Sequence, residues 1–301
     1  MKNTMNLPAT FLLLATLLGA PLHARFIEHK EHHLGPTGLF GITSPTDIKI
    51  TRVEEGSPAA GRIKVGDVIT GAGAFTFQDR TRQQLAAAID QAESAEGKGI
   101  LALALEDGRK IKLQLEVLGT FSETAPFQCP KTDALITKAA NHLSSTGRFG
   151  RGDMNIGLLG LLATGEDRFI AVVRDAIHDA PWAQPDMVLS LEQYGRTAWS
   201  WGYTNILLCE YYLLTGDEFV LPAIRQYAVA LASGRDAAGL WGHGTATLDL
   251  NGGRLHGRLP GYAVMNQSSL PCFISLLLAD KCGIKHPEIQ AGIAQTHGFY
   301  T

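Results

Sequence analysis

The stretch ITRVEEGSPAAGRIKVGDVITGAG, residues 50–73, decides the fold of the N-terminal part of the chain. Its start continues an apolar pattern that begins at residue 48, and Glu-Glu-Gly-Ser-Pro at residues 54–58 then supplies turn chemistry. A second apolar run follows, entered through a Gly-Asp turn. We therefore predict strands at Ile48–Val53 and Val65–Ile69.

A helix and two more strands follow this stretch. Leu85, Ala88, Ile89 and Ala92 are spaced three and four residues apart, which predicts a helix over residues 81–95 with one buried stripe. Residues 100–105 and 110–117 are rich in apolar side chains and flank the turn sequence Glu-Asp-Gly-Arg. Together these patterns predict a small α+β domain.

This order of motifs, ending in LALEDGRKIKLQLEV at residues 103–117, resembles a PDZ domain of the bacterial periplasmic protease type over residues 34–118. The resemblance implies a groove that binds the C-terminus or an extended strand of a peptide or protein partner. It assigns the carboxylate-binding loop to Phe40-Gly41-Ile42, preceded by Gly35-Pro36-Thr37-Gly38, where glycines let successive backbone N–H groups converge on an anion. The implied peptide-binding residues are Gly38, Phe40, Gly41, Ile42, Thr81 and Leu85.

Two observations leave a purely structural alternative open. Pro45 follows closely and cannot donate a backbone hydrogen bond, so the binding strand must be short. The glycines of the loop are also compatible with a simple turn that binds nothing.

The first residues predict export. Lys2, the apolar run Phe11–Leu18 and small residues up to Ala24 have the layout of a signal peptide over residues 1–24. The apolar run is too short for a permanent membrane span, and no later segment is long enough. Residues 25–33, which include the sequence EHKEHH, are expected to form a flexible, solvated N-terminus.

Composition excludes some partners and leaves others open. The formal net charge of -3 over 301 residues gives no basic field for nucleic acid. Four cysteines permit three disulfide pairings, among which the sequence cannot choose. Without C-x-x-C spacing or another metal or nucleotide motif, no metal or cofactor is predicted, and the oligomeric state stays open.

Helical repeats follow a linker at residues 119–132. The sequence NIGLLGLLATGEDRF at residues 155–169 returns as ILLCEYYLLTGDEF at residues 206–219, and SSLPCFISLLLADKCG at residues 268–283 is a looser third copy. The first helix of each copy is apolar on nearly every side, whereas the next helix has a single apolar stripe. Fully buried helices alternating with one-sided helices predict two concentric layers.

This alternation, with WSWGY at residues 199–203 and GLWGHG at residues 239–244, resembles the α/α toroids of terpenoid cyclases and prenyltransferases. Combined with the PDZ-like part, the chain resembles uncharacterised secreted bacterial proteins that carry both. We thus predict an α+β PDZ domain followed by an all-α toroid-like domain at residues 133–301. A closed toroid needs roughly 300 residues, so we expect this domain to be partial.

Three residues are candidates for chemistry in the helical part: His243, His256 and Glu210. His243 precedes a predicted β-hairpin, residues 247–259, that carries His256 beside an aspartate and an arginine. The alternative is an ordinary cross-strand ion pair in a glycine-rich loop. Glu210 is a carboxylate in an otherwise apolar predicted helix. One hypothesis makes it an acid with a raised pKa that lines the central cavity; the alternative is a hydrogen bond to a neighbouring helix or to the Trp199 indole.

The leading hypothesis is an exported peptide- or protein-binding module with the toroid as a second binding surface. The alternative is a toroid-cavity hydrolase, lyase or transferase acting on carbohydrate, peptide or lipid. A third reading makes this chain a structural segment of a larger secreted protein.

Overall fold

The computed structural model describes residues 30–149, 154–189, 196–246 and 264–301. The predicted signal peptide and the predicted hairpin at residues 247–259 lie outside these ranges. The chain divides into two compact units between Thr132 and Asp133. An antiparallel β-sheet with a helix forms the N-terminal unit and helices form the C-terminal unit, which is an α+β arrangement.

The described part of the N-terminal unit contains a seven-stranded antiparallel sheet and one long helix. The strands are β1 Glu31–His33, β2 Leu39–Thr43, β3 Ile48–Val53, β4 Val68–Ala72, β5 Phe75–Thr76, β6 Ile100–Leu105 and β7 Lys110–Gln114, and the helix is α1 Thr81–Glu93. The strand order is β1-β2-β3-β4-β6-β7, and β5 pairs with β4. The core lies between the sheet and α1, and Leu85 and Ala88 belong to the same buried cluster as sheet residues such as Ile50 and Leu103.

The strands predicted at Ile48–Val53 and Ile100–Leu105 are confirmed with the same bounds. The strand predicted from Val65 begins only at Val68, because the Asp67 carboxylate accepts a hydrogen bond from the Lys64 N–H at 2.9 Å and holds a turn there. Helix α1 ends two residues early, since Ser94 is extended.

The expected flexible N-terminus is wrong for residues 31–33. These residues form the edge strand β1, which pairs antiparallel with β2 in the register Glu31↔Ile42, His32↔Gly41 and His33↔Phe40. The polar composition of EHKEHH indicated a solvated tail. The prediction failed because the sequence pattern does not show that the edge of β2, five residues further along the chain, is free to pair with this segment.

Seven helices occupy residues 130–301 within the described ranges. They are α2 Pro130–Thr146, α3 Ile156–Leu162, α4 Asp167–His178, α5 Thr197–Thr215, α6 Leu221–Ser233, α7 Asn266–Lys281 and α8 Pro287–Tyr300. The three copies of the sequence repeat correspond to the pairs α3–α4, α5–α6 and α7–α8. Gly165 and Gly216 follow the first helix of their pairs with φ of 68° and 70°, a conformation that glycine adopts without strain.

Helix α5 is the centre of the helical packing. It contacts α3 on one side and α7 on the other, and α6 packs against α5, α7 and α8. At Gly202 the backbone of α5 approaches α7 so closely that an added Cβ would lie 3.3 Å from the Cys272 nitrogen. The second helices are one-sided, as predicted: α4, for example, buries Phe169, Val173 and Ile177 along one stripe.

The expectation that the first helices are buried on every side holds only in part. On α5, the turns from Ile206 to Cys209 are buried, whereas Glu210, Leu213 and Leu214 are exposed. On α7, Leu270, Ile274 and Leu277 are 42–45% exposed. Their spacing of four and three residues places them on one face, which no described element covers. None of the helices in the described ranges has the length and apolarity needed to span a bilayer.

Candidate functional site

The candidate site is the outer edge of β2, where the chain's own β1 lies. His32 pairs with Gly41 of β2, and its ring nitrogen lies 3.2 Å from a guanidinium nitrogen of Arg82 on α1. Gly35, in the turn after β1, also lies near α1. A Cβ added at Gly35 would be 3.5 Å from Ile89, which is two helical turns beyond Arg82. Strand β1 therefore pairs antiparallel with the edge of β2 and directs the His32 side chain toward α1.

The side chains of β1 on the other face contact β2 and β3. The Glu31 carboxylate accepts a hydrogen bond from the Thr51 hydroxyl at 2.6 Å and lies 3.5 Å from the Arg52 guanidinium. The His33 ring packs on the Phe40 ring with centroids 4.6 Å apart. Arg52 also contacts Phe40, with its guanidinium carbon 3.2 Å from the ring centroid.

The predicted carboxylate-binding residues Phe40-Gly41-Ile42 lie within strand β2, and the glycine-rich residues before them form a tight turn that joins β1 to β2. Residues Gly35–Thr37 form a 3-10 turn; the Gly38 N–H donates to the Gly35 carbonyl at 3.4 Å and the Leu39 N–H donates to the Thr37 hydroxyl at 3.1 Å. The Thr37 hydroxyl donates in turn to the Leu34 carbonyl at 2.9 Å. The N–H groups of Gly38 and Leu39 are thus engaged inside the turn.

Thr81 and Leu85 serve the fold of the groove in this structure. The Thr81 hydroxyl is buried and donates to the carbonyls of Ser44 and Pro45 at 2.7 and 2.8 Å, which fixes the start of α1 beside the end of β2. Leu85 belongs to the core. Phe40 and Ile42 are half-buried, so they are the predicted peptide-binding residues whose side chains stay partly accessible.

A polar cavity of about 490 Å³ opens where the groove continues past Glu31. Glu31 pairs with Ile42, and the next residue of β2, Thr43, already lines this cavity. The other lining residues are Ser44, Pro45, Asp79, Arg80, Thr81, Arg82 and Gln83. A segment that continues β1 in the N-terminal direction along β2 would lie beside this cavity and its two arginines.

The candidate catalytic residues of the helical unit are not brought together. His243 is half-buried, and its Nδ1 accepts a hydrogen bond from the Trp199 indole at 3.2 Å. Glu210 is exposed and lies eleven residues further along α5 than Trp199, a distance of about 16 Å. The Trp199 indole thus contacts His243 instead of Glu210, and His256 lies outside the described residues.

Sequence reasoning missed a polar cluster at the end of α4. The Asp217 carboxylate accepts hydrogen bonds from the Tyr211 hydroxyl at 2.6 Å and the Phe219 N–H at 3.1 Å, and lies 2.8 Å from His178 Nε2. Burial acts to raise the pKa of Asp217, but the hydrogen bonds from Tyr211 and His178 hold it below its usual range. The only sequence signal was the Thr-Gly-Asp turn of the second repeat, which indicates capping and not a cluster.

The four cysteine thiols all lie in the described ranges, and all are buried and free. Cys282 and Cys209 are neighbours, since the Cys282 thiol donates to the Cys209 carbonyl at 3.7 Å. Hydrogen bonds from Thr132 and from the Ser122 N–H lower the pKa of Cys129 to about 6. In the part of the chain that the structure describes, no three His, Cys, Asp or Glu side chains form a group that could hold a metal ion.

Comparison with known proteins identifies the helical part. A family model described as "Domain of unknown function (DUF6288)" matches residues 132–301. Neither the search of the curated proteins nor the search of the solved structures finds a match. Because the matched region covers more than half of the sequence, the chain belongs to the family of the domain of unknown function DUF6288.

Proposed function

We propose that this chain is an exported peptide-binding protein whose N-terminal unit takes an extended segment as an extra strand on β2, beside α1. The observation that carries the proposal is β1 itself. Residues Glu31–His33 lie in that place as a strand, antiparallel to β2, with the His32 side chain toward α1, the Glu31 side chain against β3 and the His33 ring on Phe40 of β2. The groove therefore accepts an extended segment with this polarity.

The short length of β1 makes replacement by a ligand feasible. An edge strand of three residues forms few ladder hydrogen bonds, and exposed side-chain contacts such as Glu31 to Arg52 add little free energy. The next residue, Leu34, is only 4% exposed and packs in the core, so it is the point at which β1 detaches. A ligand that replaces β1 ends, or turns out of the groove, at Leu34.

The helical unit supplies the second surface of the proposal. The three helix pairs, with α5 between α3 and α7, support a toroid-like arrangement of the first helices in one row. Leu270, Ile274 and Leu277 give this row an exposed apolar face. An apolar face of this kind is typical of an interaction site. No described contact favours the enzymatic alternative, because Glu210 and His243 lie about 16 Å apart along the direction of α5.

The test is peptide binding by a full-length variant with an emptied groove. Glu31→Gly, His32→Gly and His33→Gly together remove the side-chain contacts of β1 and raise the entropy cost of forming it. The probe is a free heptapeptide with the sequence of residues 28–34, EHKEHHL. A tethered segment has an effective concentration on the order of millimolar, so the free peptide is expected to bind with a Kd in or below that range, measurable by NMR titration.

The matched control is Glu28→Gly, His29→Gly and Lys30→Gly, which changes the three preceding residues and leaves β1 intact. The expected result is saturable binding by the emptied variant, with shifts at β2 amides. The absence of saturable binding, in an emptied variant whose circular dichroism matches that of the wild type, contradicts the proposed function.

A further inference from the structure

We infer that β1 is a built-in competitor of the peptide ligand, and that its contacts specify the ligand: an extended segment with an acidic residue, any residue that is not a cation, and then a ring. The inference rests on the proposed function and adds its regulation and its ligand class. Each of the three positions is read from one contact of β1.

The first position favours a carboxylate. The Glu31 carboxylate accepts a hydrogen bond from the Thr51 hydroxyl at 2.6 Å and lies 3.5 Å from the Arg52 guanidinium. Both partners belong to β3 and stay in place when β1 leaves. The pair is about half exposed, so the loss of the ligand's negative charge is expected to weaken binding by about two- to fivefold.

The second position faces α1. His32 lies opposite Gly41, which has no side chain, and contacts the Arg82 guanidinium. A lysine or arginine here would face this positive charge. His32 is half-buried but Arg82 is exposed, so water weakens this repulsion without removing it, and the effect on binding is small. The groove therefore discriminates against a cation at the centre of the ligand.

The third position favours a ring. The His33 ring packs on Phe40, whose own ring is held by Arg52. An aromatic side chain in place of imidazole covers more of Phe40 and adds ring–ring attraction. This is expected to strengthen binding by about two- to tenfold.

Competition follows from the covalent link between β1 and the groove. A ligand can add to β2 only in molecules from which β1 has detached, so the apparent affinity is reduced by the fraction of molecules with an open groove. If β1 is closed in nine molecules of ten, the wild type binds a ligand about tenfold more weakly than the emptied variant. Anything that pulls on the chain before Glu31 would open the groove.

The test compares four proteins with the same peptide set. The proteins are the wild type, the emptied variant, and Glu31→Cys/Ile42→Cys in its oxidised and reduced forms. Residues 31 and 42 are directly paired, so the introduced cysteines are within reach of a disulfide that locks β1 onto β2. The reduced form is the matched control, and peptide mapping by mass spectrometry verifies the cross-link.

The peptides are EHKEHHL and three copies with Glu31→Gln, His32→Lys or His33→Trp in the chain's numbering. We expect tighter binding by the emptied variant than by the wild type, by a factor equal to the reciprocal of the open fraction, and no binding by the oxidised lock until reductant is added. The Gln and Lys copies should bind more weakly than EHKEHHL, and the Trp copy more tightly.

The outcomes separate the two proposals. If the emptied variant binds no peptide, the proposed function is wrong. If the emptied variant binds the peptide, and the wild type and the oxidised lock bind it as tightly as the emptied variant does, peptide binding stands and the competitor role of β1 is overturned. If the lock abolishes binding but the three copies match EHKEHHL, competition stands and the ligand class is overturned.

Discussion

The N-terminal unit and the helical unit differ in what their exposed surfaces require. In the N-terminal unit the exposed feature is a backbone edge, β2, and three residues of the same chain satisfy it. In the helical unit the exposed feature is a set of apolar side chains on α7, and no described element covers it. The backbone hydrogen bonds of a strand edge can be satisfied by any extended segment, whereas an apolar helix face is covered only by a surface of matching shape.

The same difference explains why one candidate site is assembled and the other is not. The groove is built from two consecutive strands and the start of α1, with Thr81 hydrogen-bonded to the β2–β3 loop. The proposed catalytic set of the helical unit depends on residues from three separate segments. Two of them, Glu210 and His243, are held far apart by the length of α5.

The largest expected effect concerns the core of the helical unit. Trp241 is fully buried and its indole donates to the Leu231 carbonyl at 2.9 Å, so Trp241→Ala should lower the free energy of unfolding of the helical unit by about 3–5 kcal/mol. Denaturant titration followed by helical circular dichroism measures this. Val188→Ala, at a residue that is 85% exposed, is the control and should leave stability unchanged.

The turn between β1 and β2 gives the next effect. Gly38 has φ of 72°, and an added Cβ would lie 2.0 Å from the Ser57 Cβ, so Gly38→Ala should destabilise the N-terminal unit by about 2–3 kcal/mol. Gly56 has the same φ but no neighbour within 4 Å, so Gly56→Ala should cost only about 1 kcal/mol. Equal losses in urea unfolding would show that the close approach does not matter.

A smaller effect is expected at Asp217. Asp217→Asn weakens the contacts with Tyr211 and His178 and should cost about 1–2 kcal/mol at pH 7. Because the pKa of Asp217 is lowered in the folded state, its stabilising effect is present above the usual value of 3.8 and is lost as the pH falls through the folded value. The difference between wild type and variant should therefore shrink by pH 3. If the difference in the free energy of unfolding does not change with pH, the effect comes from packing and not from the charge of Asp217. Glu218→Gln, at an exposed neighbouring carboxylate, is the control.

The smallest effects concern the proposed catalytic residues. His243→Ala removes the acceptor of the Trp199 indole and should cost about 1 kcal/mol, whereas Glu210→Gln should be neutral because Glu210 is exposed. At a separation of about 16 Å the double variant should be additive within about 0.5 kcal/mol. A larger coupling in the double-mutant cycle would mean that the two residues share a site after all.

Local patterns predicted most of the elements. The alternation at residues 48–53 and the helical spacing from Leu85 to Ala92 indicated the strand and helix that the structure contains, since both depend on neighbours in sequence. The repeat likewise predicted three helix pairs. The strand at Glu31–His33 could not be predicted, because its partner edge exists only after β2 and β3 have formed.

The sequence indicated glycines before and within β2, but it did not indicate that β1 occupies the edge of that strand. The glycines before β2 indicated a loop, yet whether its N–H groups are available depends on the Thr37 side chain, which bonds within the turn. The exposed face of α7 was missed for a related reason. Composition shows that a helix is apolar all round, but the number of neighbours around it is set by the fold as a whole.

The arrangement of β1 also affects how the protein behaves at high concentration. A long, flat strand at the edge of a sheet invites pairing with another molecule, and natural proteins avoid this with short, charged edge strands. Strand β1 is three residues long and exposes Glu31 and His33 to water. A short, charged edge strand of this kind protects the sheet against edge-to-edge aggregation.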